Sequence, residues 1–164
     1  GVPQEPLCRI AFEKAGIARP GVPLVTQGYP TEVTRTVIEH AMKVGARTAI
    51  RGLDWFAEVE EQGIAYRDRQ GELTLPLPAL AGSHQADNAA LAVAMLRHQS
   101  QVEVSPEAMA QGIRTARWPA RLQLLGDGPL TALMPGGGCG SMVGTTSMRG
   151  WRSRGTLPGL RRFT

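Results

Sequence analysis

Five residues could carry chemistry: Lys14, His84, Gln85, Asn88 and Arg121. Lys14 and Lys43 are the only lysines among 18 basic residues. A lysine where arginine is the habit suggests what only an amine does, which is to lose its proton, react and return to a compact charge. The plainer alternative is an exposed helix lysine paired with a nearby acid. Asn88 lies three and four residues before Leu91 and Ala92. Its amide is therefore predicted to face inward from the first turn of a helix, where it needs hydrogen-bond partners. It either ties that helix to a loop or reads a ligand edge that offers a donor and an acceptor side by side, as a purine does. His84 and Gln85 share the same turn, and a lone histidine is more often structural than catalytic. Arg121 follows Trp118-Pro119-Ala120 at the start of a predicted strand, where a guanidinium either grips a phosphate or caps a sheet.

Several familiar chemistries are missing. No G-x-x-x-x-G-K-[ST] loop occurs, and the glycines at 136–140 are not followed by lysine, so a complete phosphate cradle is absent from the sequence. No Ser/His/Asp order or zinc-ligand spacing stands out. Cys8 and Cys139 lie near opposite ends, outside any disulfide framework.

The elements that must position these residues alternate. Ile10, Ala11, Lys14 and Ala15 recur at helical spacing, so 10–19 reads as the end of a helix, with Gly16 able to turn it and Pro20 to stop it. Val22 to Thr26 is a short β-branched strand. Pro30 precedes a helix over Thr31 to Val44 closed by Gly45, and Thr48 to Arg51 is the next strand. Strand, helix and strand at this spacing predict parallel α/β architecture. Three brief extended pieces follow, 55–59, 64–68 and 73–77, punctuated by Gly63 and Gly71. They read as a small antiparallel excursion that could wrap the domain edge. A helix over 83–98 is predicted to bury Leu91, Ala92, Met95 and Leu96, with Ser83 as N-cap. Ser105-Pro106-Glu107 opens another helix, to about Ala116, and a strand is predicted near 121–125.

Composition narrows the function classes. With 164 residues, 42% hydrophobic and 20% charged, the chain fits one ordinary domain. No apolar run approaches the ~18 residues a membrane helix needs, and no signal peptide is recognisable, so no membrane partner and a cytoplasmic location are expected. The net charge of +4 would ordinarily raise nucleic acid. However, residues 138–164 hold five arginines and no acid, which leaves 13 basic and 14 acidic side chains in residues 1–137. Aromatics are 5% and do not interleave with those arginines, so no nucleic-acid partner is expected.

Three motifs in order resemble the dihydrofolate synthase and folylpolyglutamate synthase family of Mur-type ligases. They are Ile10-Ala11-Phe12-Glu13-Lys14-Ala15-Gly16-Ile17 with Pro20-Gly21-Val22-Pro23, then Leu80-Ala81-Gly82-Ser83-His84-Gln85-Ala86-Asp87-Asn88-Ala89-Ala90-Leu91-Ala92, then Trp118-Pro119-Ala120-Arg121-Leu122. The match covers about residues 10–130, and Ala120 stands where the family usually has glycine. The resemblance implies the second half of a P-loop-type central ATPase domain, a mostly parallel sheet with flanking helices and a small antiparallel excursion. Residues 1–135 would be the partial ATP-binding domain and 136–164 unstructured.

The implied activity is ATP-dependent addition of L-glutamate to dihydropteroate, to folates, or to both, through an acyl phosphate. Lys14 corresponds to a lysine that the family carbamylates, making a carboxylate-like ligand near a magnesium ion. Asn88 corresponds to an ATP contact and Arg121 to an arginine on the phosphates, with His84 and Gln85 supporting the motif. The chain opens at Gly1 without a methionine, and the P-loop, much of the folate site and a C-terminal domain are expected outside it. It is therefore not expected to catalyse alone. Alternatives are another Mur-type amide ligase and a non-catalytic nucleotide-binding remnant.

The family's Asp-Gly-Ala-His-Asn segment is absent from the tail. Codons for Gly138 to Ser153 can nevertheless be chosen so that a frame beginning at the third base of the first codon reads Leu-Trp-Leu-Asp-Gly-Gly-His-Asn. Met142-Val143 forces a glycine in that frame, and the first two bases of Thr145 and Thr146 allow histidine and asparagine. A frameshift is thus the expected origin of the tail. Sequencing the source DNA checks it: bases other than those the shifted motif needs refute it.

Overall fold

The computed structural model describes residues 2–80, 82–118, 121–124 and 140–142, in two compact units, 1–118 and 119–164. In the first unit, helix α1 (Pro6–Ala15) leads to strand β1 (Leu24–Thr26), helix α2 (Thr31–Val44) and strand β2 (Thr48–Ile50). The helix whose end is expected over 10–19 starts at Pro6, where the Glu5 carboxylate accepts from the Cys8 N–H at 2.6 Å, and stops at Ala15, short of Arg19, because Gly16 already turns it. β1 and β2 pair in parallel with Leu24 opposite Thr48, and α2 makes the crossover. Gly45 closes α2 at φ +80°, a conformation its missing Cβ permits.

The antiparallel excursion consists of β3 (Trp55–Glu60), β4 (Gly63–Asp68) and β5 (Gly71–Leu75), joined by two-residue turns. It contributes more than an edge. Trp55, Ala57, Ile64, Tyr66 and Leu75 are all buried in the main core, with Trp55 and Tyr66 stacked at 6.0 Å. At Gly63 a Cβ would sit 2.6 Å from the Leu75 carbonyl oxygen, so glycine lets the two strands close.

Helix α3 (His84–His98) packs on β1, β3 and β4, and helix α4 (Pro106–Thr115) adds Met109 and Ile113 to the same core. Ser105 caps α4 as expected, its Oγ accepting from the Ala108 N–H at 3.2 Å. Two expectations for α3 are overturned. Its buried face is Gln85, Ala86, Ala90, Val93 and Ala94, whereas Met95 is 51% exposed, Leu96 37% and Ala92 lies outside. Small side chains let the helix approach the broad rings of Trp55 and Tyr66, so the alanine face goes in and the larger residues stay out. Ser83 itself has helical backbone angles and makes no side-chain capping bond.

A second cluster, Ala11, Leu24, Val37, Ala41 and Ala46, joins α1 to α2 and β1. In the second unit, β6 (Arg121–Leu124) pairs antiparallel with β7 (Gly140–Met142). The first is the strand expected near 121–125. The second falls in the stretch predicted to lack structure, and the remainder of 136–164, with most of the codons discussed above, lies outside the described residues. Among the described residues no helix is long and apolar enough to cross a membrane.

Candidate nucleotide-facing site

Lys14 sits in the last turn of α1, exposed, on the wall of a cavity of about 460 Å3. Ile10 of α1 and Leu24 of β1 line it, with Gln27 from just beyond β1 and Leu91 and Met95 from α3. The cavity thus brings Lys14 and α3 to one place. Its neighbour Glu13 pairs with Arg9 at 3.5 Å, and among the described residues Lys14 makes no ion pair.

The first turn of α3 corrects the prediction for Asn88. Gln85, not Asn88, is the inward amide: Gln85 is 7% exposed, while Asn88 is exposed and donates from Nδ2 to Gln85 Oε1 at 3.2 Å. Three residues advance a helix by about 300°, so the two amides lie roughly 60° apart on one face and the buried one supports the exposed one. Asn88 keeps its Oδ1 and a second N–H for other partners, which suits an amide that reads a ligand edge. His84 is exposed as well. Its ring lies against Gly82, where φ is +117° and a Cβ would stand 2.7 Å from His84 Cε1, so glycine at 82 lets the histidine fold back over the turn.

Sequence reasoning missed the group that holds this turn. Arg51, just beyond β2 and 24% exposed at its side chain, donates from Nη1 to Asp87 Oδ1 at 2.6 Å and to Gln27 Oε1 at 3.1 Å, and from Nη2 to the Ala57 carbonyl at 2.5 Å. Gln27 Nε2 donates in turn to the Asp87 backbone carbonyl at 3.0 Å. A sequence signal existed: polar residues at the carboxyl ends of two parallel strands mark where open α/β sheets bind ligands.

A second polar group locks α3 at its far end. Arg97 Nε and Nη2 donate to both oxygens of Asp68, at 2.7 and 2.6 Å, and the Tyr66 hydroxyl donates to Asp68 Oδ2 at 3.0 Å. Burial pushes the Asp68 carboxyl up, but the Arg97, Gln70 and Tyr66 hydrogen bonds outweigh it and hold the group below its usual value. Burial, then the neighbouring Asp68, drives the Tyr66 phenol far above its usual value, so it stays a neutral donor.

Arg121 opens β6 in the second unit. Among the described residues no three His, Cys, Asp or Glu side chains gather to hold a metal ion.

No protein-family model matches the chain. Over 121 residues it is 38% identical to the dihydrofolate synthase/folylpolyglutamate synthase of Escherichia coli strain K12, covering 73% of this chain and 27% of that protein. E. coli FolC in complex with DHPP and ADP superposes with a TM-score of 0.61 at 36% identity, over 74% of this chain and 28% of that one. An FPGS–AMPPCP–folate complex superposes with a TM-score of 0.58 at 27% identity, over 72% of this chain and 31% of that one. The homologues and structural neighbours of the chain are thus dihydrofolate and folylpolyglutamate synthases, of which it spans a partial segment, about a quarter of the E. coli protein.

Proposed function

We propose that this chain is the second half of the ATP-binding domain of a ligase that joins L-glutamate to dihydropteroate or a (tetrahydro)folate. The observation that carries the reading is the 38% identity over 121 residues to the E. coli dihydrofolate synthase/folylpolyglutamate synthase. The backbone match to a FolC complex holding DHPP and ADP supports it. In the reaction, the terminal phosphoryl of ATP passes to a substrate carboxylate, giving ADP and an acyl phosphate. The glutamate amine then attacks the acyl carbon, the C–N bond forms, inorganic phosphate leaves with the C–O electron pair, and the amine's proton passes to solvent.

The described residues supply part of this. Asn88, steadied by Gln85, offers a donor and an acceptor to a base edge, and His84 flanks the same turn. Arg121, which opens β6, is by the family resemblance the candidate for the phosphates, where a positive charge offsets the charge that gathers during transfer. Among the described residues no three His, Cys, Asp or Glu side chains gather at one point, and no step is routed through a magnesium ion.

The test has two parts. Calorimetric titration of the purified chain with ADP is expected to show binding, and the same chain supplied with ATP, L-glutamate and dihydropteroate or folate is expected to show no turnover. The longer protein that carries this segment is expected to join labelled L-glutamate to dihydropteroate or folate only when ATP is present. A protein that leaves both acceptors untouched overturns the reading.

A further inference from the structure

We propose that Arg51 is a positioning residue for the nucleotide-facing turn of α3, acting through Gln27 and Asp87. The inference rests on the reading that this turn meets ATP. One guanidinium joins four segments: its own strand end after β2, Gln27 after β1, Ala57 of β3 and Asp87 of α3. Its planar fork reaches all three acceptors from a fixed plane, with Cζ 5.7 Å from the centre of the Trp55 ring. A lysine is a point charge and could not hold them together.

Asp87 is gripped twice, at its carboxylate by Arg51 and at its backbone carbonyl by Gln27. Two attachment points on one residue fix both the height and the rotation of the turn. That matters here because α3 receives no side-chain cap from Ser83, so its first turn lacks the usual local anchor. Gln85 and Asn88 flank Asp87 in sequence, and the bond between their amides forms only if this turn is wound. Arg51 touches none of the proposed nucleotide contacts itself and acts by where it places them.

The experiment is amide hydrogen exchange on the full chain, with and without ADP, for the native protein, Asp87→Asn and Gln27→Met. Exchange across residues 84–88 is expected to quicken about ten-fold in both variants, while the following turns, anchored in the core by Ala90, Val93 and Ala94, stay protected. ADP affinity is expected to fall about five- to ten-fold, with Asp87→Glu recovering part of it. Unchanged exchange across 84–88 overturns the anchoring. Faster exchange with unaltered ADP affinity overturns the positioning role. Faster exchange in a chain whose native form binds no ADP supports the anchoring and overturns the nucleotide reading. If Asp87→Asn loses protection throughout, Gln27→Met, which keeps the charge pair, decides the same question.

Discussion

Asp68→Asn is expected to destabilise the 1–118 unit by about 3–5 kcal/mol at neutral pH, because it strands the Arg97 guanidinium in the interior without its anion. The side chains of Asp68 and Arg97 are 1% and 8% exposed, and both carboxylate oxygens are engaged by the same guanidinium. For a unit of this size the loss corresponds to a fall of roughly 10 °C or more in Tm, measured by calorimetry or circular dichroism. Replacing both partners at once, Asp68→Leu with Arg97→Met, is expected to recover much of the loss, since no unpaired charge then remains inside.

Acid titration gives the same pair a second signature. The Asp68 carboxyl is held below its usual value in the folded chain, so the unfolded chain binds the proton more readily. The pair's contribution is therefore complete above the unfolded carboxyl value of about 4 and is lost as pH falls through the lower folded value. The native protein and Asp68→Asn should differ fully near pH 7 and converge below about pH 4. Stability curves that stay parallel into strong acid would exclude the ion pair as the source of the difference. His98 Nε2 lies 3.8 Å from Asp68 Oδ2 and has no hydrogen-bond partner among the described residues.

What could be read from the sequence follows the range of the interactions involved. The unit of β1, α2 and β2 was legible because everything that defines it is local: a short β-branched run, Pro30 at one end of the helix and Gly45 at the other. The face of α3 was not. Hydrophobicity ranks Met95 and Leu96 above alanine, yet of the expected stripe only Leu91 packs against the core, because the buried side was chosen by the flat aromatic surface of the meander, which residues 84–98 do not encode. The same rotation moved the inward amide from Asn88 to Gln85. Arg51 meets Asp87 across 36 residues and Arg97 meets Asp68 across 29, and no helical or strand period links such pairs. Lys14, by contrast, was singled out by residue usage alone, and the fold sets it on a cavity wall with no salt-bridge partner among the described residues.

In the longer ligase that we propose carries this segment, Lys14→Arg is expected to lower kcat about 10²–10³-fold, the loss typical when one preorganised charged group is removed from a transition state. Arginine keeps the positive charge and the length, so the comparison isolates what the amine alone can do. A lysine that sheds its proton adds carbon dioxide: the nitrogen lone pair forms the N–C bond, a proton passes to solvent, and a carbamate with carboxylate character results. An arginine, protonated at every working pH, cannot follow. Lys14 stands exposed on the cavity wall, beside a Glu13 that pairs with Arg9. Since Lys14 is exposed, its replacement should change stability by less than about 0.5 kcal/mol, which separates a chemical loss from a folding one. Carbon-13 NMR in labelled bicarbonate is expected to show a carbamate signal in the native protein and none in Lys14→Arg. Lys14→Ala should regain part of its activity in acetate, which returns a carboxylate to the vacated space. A Lys14→Arg enzyme within about two-fold of native kcat, a difference of under half a kcal/mol, would mean that the amine serves only as charge and that the carbamate plays no part in the reaction.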